Sequence, residues 1–260
     1  MQRQILTITS NLYSGNVQLE FNPNNHTYYV VDNGERVRVP SVTRVCGVLD
    51  KSGPLMAWAL NKALAVCKGG IQPDTPYPDI YLEEVWKTAK RAHRVLKEEA
   101  GDVGHEAHKI IEAHLKGESV STTDQSLGRE CADRAIQWMG EHAFRPLAIE
   151  RYVYSRKYRC SGMLDCLAYV DDELAIVDWK SSKSIYPEYF FQTAAYQGFY
   201  QEETGDKVQC RYLVRLGKED GILEVRKRSG LVNFRNDYKG FLGLLQAMNS
   251  LKEVERGMNE

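Results

Sequence analysis

The stretch SGMLDCLAYVDDELAIVDWKSSK, residues 161–183, decides the fold. Two apolar runs flank Asp171 and Asp172, and a two-residue turn there makes a β-hairpin with Val170 opposite Glu173. Counting back along both strands brings Asp165 opposite Asp178. Side chains alternate along a strand. Met163, Asp165, Leu167, Ile176, Asp178 and Lys180 therefore share one face, and Leu164, Cys166, Ala168, Ala175, Val177 and Trp179 the other. Both faces are largely apolar, as an interior pair of strands requires. Opposed residues hold their Cβ atoms about 4.5–5.5 Å apart, and two carboxylates there repel by roughly 3 kcal/mol at an effective dielectric near 20. A shared proton, a lysine or a bound divalent cation offsets that repulsion. Lys180 reaches the same space from the same face, and hard oxygen ligands suit Mg²⁺ or Mn²⁺. The bland alternative is a salt-bridged surface hairpin, but two acids on apolar strands are costly to bury without a purpose.

Working outward, Val17–Phe21, Tyr28–Val31 and Arg36–Val39 alternate like short strands between NPNN and DNG turns and predict an N-terminal β meander. Pro40-Ser41 opens one or two helices through Cys67, and GGIQPDTPYPD reads as a loop. Leu82, Val85, Trp86, Ala89, Ala92 and Leu96 recur at helical spacing over 81–100. Further helices are expected over Gly104–Leu115 and from Thr123 to about His142. Strands are predicted near 147–154, 159–170 and 173–180, then a helix from Pro187 stopped by Gly205. Strands near 208–216 and 221–226 and a closing helix over 233–251 complete the pattern. Helices on both sides of a central sheet predict a layered α/β fold, divided here into residues 1–100 and 101–260.

GMLD (162–165), a strand ending in DWK (178–180) and a helix carrying QTAAY (192–196) together resemble the RecB-like branch of the PD-(D/E)xK nuclease superfamily. That branch includes phage-type exonucleases and the mitochondrial single-stranded-DNA exonuclease. Its pattern is Gly-x-x-Asp, then Asp/Glu-x-Lys at a strand end, then Gln-x-x-x-Tyr on the next helix. The likeness covers about Ala100 to Gly205. It implies a restriction-endonuclease-like core, a central mixed β-sheet flanked by helices, and metal-dependent hydrolysis of phosphodiesters. Asp165, Asp178 and Lys180 are then the catalytic set. His108, Asp165, Asp178 and the backbone carbonyl of Trp179 are the metal ligands for Mg²⁺ or Mn²⁺. His108 stands in a Gly-Thr-x-x-His-like stretch, GHEAH (104–108), in which His105 replaces the usual Thr. HEAH is one residue short of HExxH, so the zinc-hydrolase geometry is not reproduced.

Gln192 and Tyr196 share a helix face and are expected to contact the DNA backbone or brace the catalytic strand. Ser181, Ser182 and Lys183 follow the catalytic lysine and reach toward phosphates. Glu150 either joins the site through water or pairs with an arginine. Arg151, Arg156, Lys157 and Arg159, interleaved with Tyr152, Tyr154 and Tyr158, suggest either a groove for unpaired bases or an ordinary exposed hairpin, and Arg226, Lys227 and Arg228 form a second local basic cluster.

The 260 residues are 43% hydrophobic, enough for a sizeable core, and 34 Lys and Arg against 35 Asp and Glu give a net charge of −1. No global positive field exists, so nucleic-acid binding must be local. The longest apolar run, Leu55–Leu60, is far short of a membrane span, and MQRQILTITSN lacks a signal-peptide stretch, which predicts a cytoplasmic protein, in the host cytoplasm if phage-encoded. The cysteines at 46, 67, 131, 160, 166 and 210 form no CxxC pair, so neither zinc nor an iron-sulfur cluster is expected. No GxxxxGK[ST] loop is present. The chain therefore should not unwind duplexes itself, and is expected to digest single-stranded or frayed DNA ends in phage or bacterial replication, recombination or repair, beside a helicase, recombinase or single-strand-binding protein. An endonuclease with the same site, or a non-catalytic nucleic-acid-binding module, are the competing readings.

Overall fold

The computed structural model describes residues 7–119, 126–218 and 221–258. The expected helix start at Thr123 and the first six residues lie outside them. Four antiparallel strands come first, β1 (Ile8–Leu12), β2 (Val17–Asn22), β3 (Thr27–Asp32) and β4 (Glu35–Val39), paired in chain order. The meander is as predicted from β2 onward, with β1 an added edge. Helices α1 (Val42–Cys46), α2 (Ser52–Gly70), α3 (Asp79–Lys116) and α4 (Leu127–Gly140) follow.

The second sheet orders β5 (Phe144–Ser155), β6 (Cys160–Val170), β7 (Glu173–Lys180), β8 (Cys210–Leu216) and β9 (Leu223–Ser229) side by side. Only β7 and β8 run parallel, joined by α5 (Pro187–Thr204), and α6 (Leu231–Gly257) closes the chain. This is the expected mixed sheet between helices. Pro187 begins α5 and Gly205, at φ +81°, ends it, as the sequence predicts.

Two apolar layers bury the sheet. On one face Ala107, Ile111, Ala135 and Trp138 of α3 and α4 pack on Ala168, Val177, Trp179 and Val214. On the other, Val42, Ala195, Phe199, Phe241 and Leu245 of α1, α5 and α6 cover Leu164, Leu167 and Ile176. The N-terminal sheet has its own core around Val17, Leu19 and Val30, which Tyr154 and Tyr152 of β5 complete. Arg156 ties it down through Asp32 at 2.7 Å.

Three sequence expectations need correction. The helices predicted over 81–100 and 104–115 are one helix, so the divide at 100/101 falls inside α3. Gly101 and Gly104 lower helix propensity by about 1 kcal/mol each, yet the apolar stripe on either side keeps a single phase. Leu164 lies on the face of Leu167 and Ile176, not with Cys166. The neighbouring strand explains that shift, because Glu150, at φ +50°, breaks the regular alternation beside it.

Candidate active site

The hairpin forms in the predicted register: Val170 faces Glu173 and Cys166 faces Val177, with Asp171 and Asp172 at φ +51° and +65° in the turn. The paired ladder stops there, one residue short of the aspartates. Asp165 uses that gap: its Oδ2 accepts the Trp179 backbone N–H at 2.9 Å. A carboxylate held by a peptide N–H keeps one rotamer, so Oδ1 remains for other work. Asp178 is only 1% exposed. Lys180 Nζ stands 2.6 Å from Asp178 Oδ2, an ion pair without hydrogen-bond geometry, so neither buried oxygen of Asp178 has a hydrogen-bond donor. Burial pushes the Asp178 carboxyl up, Lys180 opposes this, and Asp165 adds to it. Burial works against the Lys180 ammonium, but Asp178 and Asp165 outweigh it and its pKa is raised. The ammonium also lies 5.0 Å from the Tyr189 ring centre.

The pairs Ile149–Cys166 and Arg151–Leu164 place Glu150 opposite Asp165 across β5 and β6. Its carboxyl is raised by partial burial, then by Glu112 of α3, against the pull of Lys116, with Asp165 adding to the rise. No arginine pairs with it among the described residues. Glu112 itself pairs with Lys116 one turn on. Glu112 sits one turn after His108, on the helix face that the sequence spacing gives to both.

His108 lies on the α3 stripe between Gly104 and Glu112. At one end of the stripe Gly104 packs against Ser181, just past the end of β7, so closely that a Cβ would collide with its hydroxyl. At the other end Glu112 faces Glu150. His108 is half-buried on this stripe and His105 is exposed. Among the described residues, however, no three His, Cys, Asp or Glu side chains come together as a metal cage. The structure thus joins Asp165, Asp178 and Lys180, and leaves His108 on the neighbouring helix.

Gln192 and Tyr196 are linked, the Gln192 Nε2 donating to Tyr196 Oη at 2.8 Å. Tyr196 is buried, and a Cβ on Gly162 would lie 2.6 Å from its ring. The Gly of GMLD and the Tyr of QTAAY are therefore two halves of one contact, which fixes β6 against α5 three residues before Asp165. Burial first, then the nearby Asp178, raises the Tyr196 phenol well above its usual value. Of the two roles read from the sequence, this geometry serves bracing; Gln192 is half-buried, Ser181 sits under α3, and Lys183 is exposed.

Most of the basic groups legible in the sequence are held in ion pairs. Arg151 pairs with Glu203 at 2.9 Å, Arg156 with Asp32, Arg226 with Glu224, Lys227 with Glu173 and Arg228 with Asp237. Tyr154 is 2% exposed inside the N-terminal core, so no base can stack on it. All six cysteines are free thiols, five of them buried. No helix among the described residues is long and apolar enough to cross a membrane.

No protein-family model matches the chain, and no curated protein sequence does. Among solved structures the chain is similar to a candidate exonuclease from Eubacterium rectale, with 11% identity and a TM-score of 0.42 over 60% of this chain and 68% of that one. It is also similar to an alkaline exonuclease from Laribacter hongkongensis, with 14% identity and a TM-score of 0.28 over 80% of this chain and 100% of the other. The dAMP complex of that exonuclease gives 13% identity and a TM-score of 0.30 over the same shares, 80% and 100%.

Proposed function

We propose that the chain is a divalent-metal-dependent nuclease of the PD-(D/E)xK kind that hydrolyses DNA phosphodiesters from single-stranded ends. The observation that carries this reading is the Asp178 carboxylate: fully buried, with both oxygens lacking a hydrogen-bond donor, beside a second aspartate and a lysine. A fold gains little stability from burying two carboxylates beside one ammonium, since each ion taken from water costs several kcal/mol that a single ion pair only partly repays. A hard cation fits this donor set. Asp165, Asp178 and the Trp179 carbonyl would hold Mg²⁺ or Mn²⁺, with His108 contributing from α3. When bound, such an ion lowers the pKa of a water and neutralises phosphate charge.

The chain's own residues supply the rest. Lys180, favoured as the ammonium, offers N–H donors to the attacking water and to the oxygens on which charge grows. Asp165 is fixed by the Trp179 N–H, so its free oxygen is oriented before substrate arrives. Tyr196 acts as a positioning residue, holding β6 through Gly162. Glu150 and Glu112 add negative charge at the rim, where it helps hold a cation in place.

Labelled linear and circular single-stranded DNA, incubated with Mg²⁺ or Mn²⁺, test the proposal. Linear DNA should be degraded, the circle should survive, and EDTA, Asp178→Ala and Lys180→Ala should each abolish degradation, while Asp178→Ala still binds DNA. Wild-type protein inert with both metals, or cleavage that persists in EDTA, overturns the reading. Cleavage of the circle assigns endonuclease action to the same residues.

A further inference from the structure

Apart from the basic groups held in ion pairs, one cluster of cations stands out, and it is assembled from two distant segments, 38–44 and 252–256. Arg38 of β4, Arg44 of α1, and Lys252 and Arg256 of α6 surround a cavity of about 330 Å³ together with His26 and Ser41. No carboxylate lines it among the described residues. None of the four cations makes an ion pair or rests on an aromatic ring among the described residues, whereas Arg36, two residues before Arg38, pairs with Glu20. Arg38, Arg44 and Arg256 are exposed and Lys252 half-buried. Four like charges around one concavity repel one another. In a chain whose net charge is −1, such a cluster is kept unneutralised where an anion is to be received.

Its position says which anion. The cavity wall continues directly into β6, the strand that carries Asp165. Ser161 N–H donates to the Pro40 carbonyl at 3.0 Å, Ser41 bridges to Ser161, and Val42 touches the space beside Gly162. Ser161 is four residues before Asp165, or about 13 Å along a strand. A polyanion with phosphates spaced at about 3.4 Å along each strand of a duplex, and more widely when extended, spans that gap in a few nucleotides. We propose that this pocket holds the phosphate backbone of the substrate strand, a few nucleotides from the scissile bond. The assignment rests on the nuclease reading above. It makes the N-terminal sheet and the C-terminal end of α6 part of the nucleic-acid path.

The test uses the full chain in EDTA, so that binding is read apart from cleavage. A short labelled single strand is titrated by fluorescence anisotropy across a range of salt, with wild type, Arg44→Gln/Lys252→Gln and Arg38→Gln/Arg256→Gln. The side chains replaced are exposed or half-exposed, and matching thermal midpoints verify that the variants fold. Each double variant should bind more weakly at moderate salt. The slope of log affinity against log salt should also fall by about 1.4, two contacts at about 0.7 each. An unchanged slope in both variants, or no strand binding by the wild type, overturns the proposal. Two further arms identify other anion sources. Inorganic phosphate that raises the thermal midpoint of the wild type alone, or anionic phospholipid vesicles that bind the wild type alone, reassigns the pocket if strand binding is equal throughout. Strand binding that depends on these cations in a protein inert with Mg²⁺ and Mn²⁺ sinks the nuclease reading and leaves the pocket standing. Cleavage with unaltered binding does the reverse.

Discussion

Gly162 and Tyr196 show how a short motif becomes geometry. A Cβ at residue 162 would meet the Tyr196 ring at 2.6 Å and Val42 at 3.2 Å, both on rigid, buried neighbours. Gly162→Ala is therefore overpacking in a filled core and should destabilise the chain by about 1–3 kcal/mol. Because β6 would shift three residues before Asp165, the variant should also cut kcat more than it raises KM. Tyr196→Leu removes the ring and should partly rescue Gly162→Ala, giving a coupling energy of about 0.5–3 kcal/mol in a double-mutant cycle read by urea unfolding. Strict additivity of the two changes would show that the contact does not set the strand. At this scale the sequence was informative. The turn residues Asp171 and Asp172 and the alternation on both sides were enough for the register, because a one-residue slip reverses every face. The end of the ladder was not legible. It depends on Asp165 taking the Trp179 N–H, and on Glu150 of a different strand adopting a positive φ, neither of which has a local sequence signature.

Among the elements, α3 carries the sharpest lesson. Gly101-Asp102 and Gly104 read as a break, yet the helix runs unbroken over Asp79–Lys116. The two glycines differ in what surrounds them. Nothing lies within 4 Å of a Cβ at Gly101, whereas one at Gly104 runs into Ser181. Gly101→Ala should accordingly stabilise the chain by roughly 0.4–1 kcal/mol, the helix-propensity and unfolded-state gain. Gly104→Ala should lose that gain to the collision and lower cleavage by displacing the segment after Lys180, with Ser181→Gly restoring it. Equal stabilisation by both alanines, measured as urea midpoints, would remove the case for α3 pressing on the site. A second element-scale device ties α6 to the sheet: Asp237 receives Arg211 at 2.8 Å and Arg228 at 2.9 Å, and the Arg211 side chain is 2% exposed. Burial raises the Asp237 carboxyl, but hydrogen bonds from Arg228 and Arg211 outweigh it and its pKa is lowered. The stabilisation is thus present above the ordinary carboxylate range, about pH 4, and is lost as pH falls through the lower folded value. Asp237→Asn should cost about 3–5 kcal/mol at neutral pH, because it strands a buried guanidinium. It should also flatten the acid limb of the stability profile; an unaltered limb would place the acid sensitivity elsewhere.

Over the whole molecule, both helical layers of the five-stranded sheet meet at β7, whose last three residues are Asp178, Trp179 and Lys180. Trp179 sits in the layer under α3 and α4, while the Tyr196 phenol under α5 feels the charge of Asp178, so the strand end is clamped from two sides. The clamp spares the fold from relaxing around the aspartates, and the repulsion between them persists in the folded state. A divalent cation that binds only the folded chain should relieve it and stabilise the whole molecule by RT ln(1 + [M]/Kd), about 2.7 kcal/mol at a hundredfold excess over Kd. Thermal scans with increasing Mg²⁺ or Mn²⁺ should therefore show a rising midpoint in the wild type. Asp178→Asn abolishes the negative charge at the centre of the site, and its midpoint should not rise with metal. His108→Ala separates the contribution of α3: if the imidazole is a ligand, the metal-dependent rise should appear only at higher metal concentration, while the midpoint in EDTA stays near that of the wild type. A midpoint that rises equally in all three proteins would mean that the metal acts elsewhere on the surface, and the aspartate pair would then need another partner for its charge.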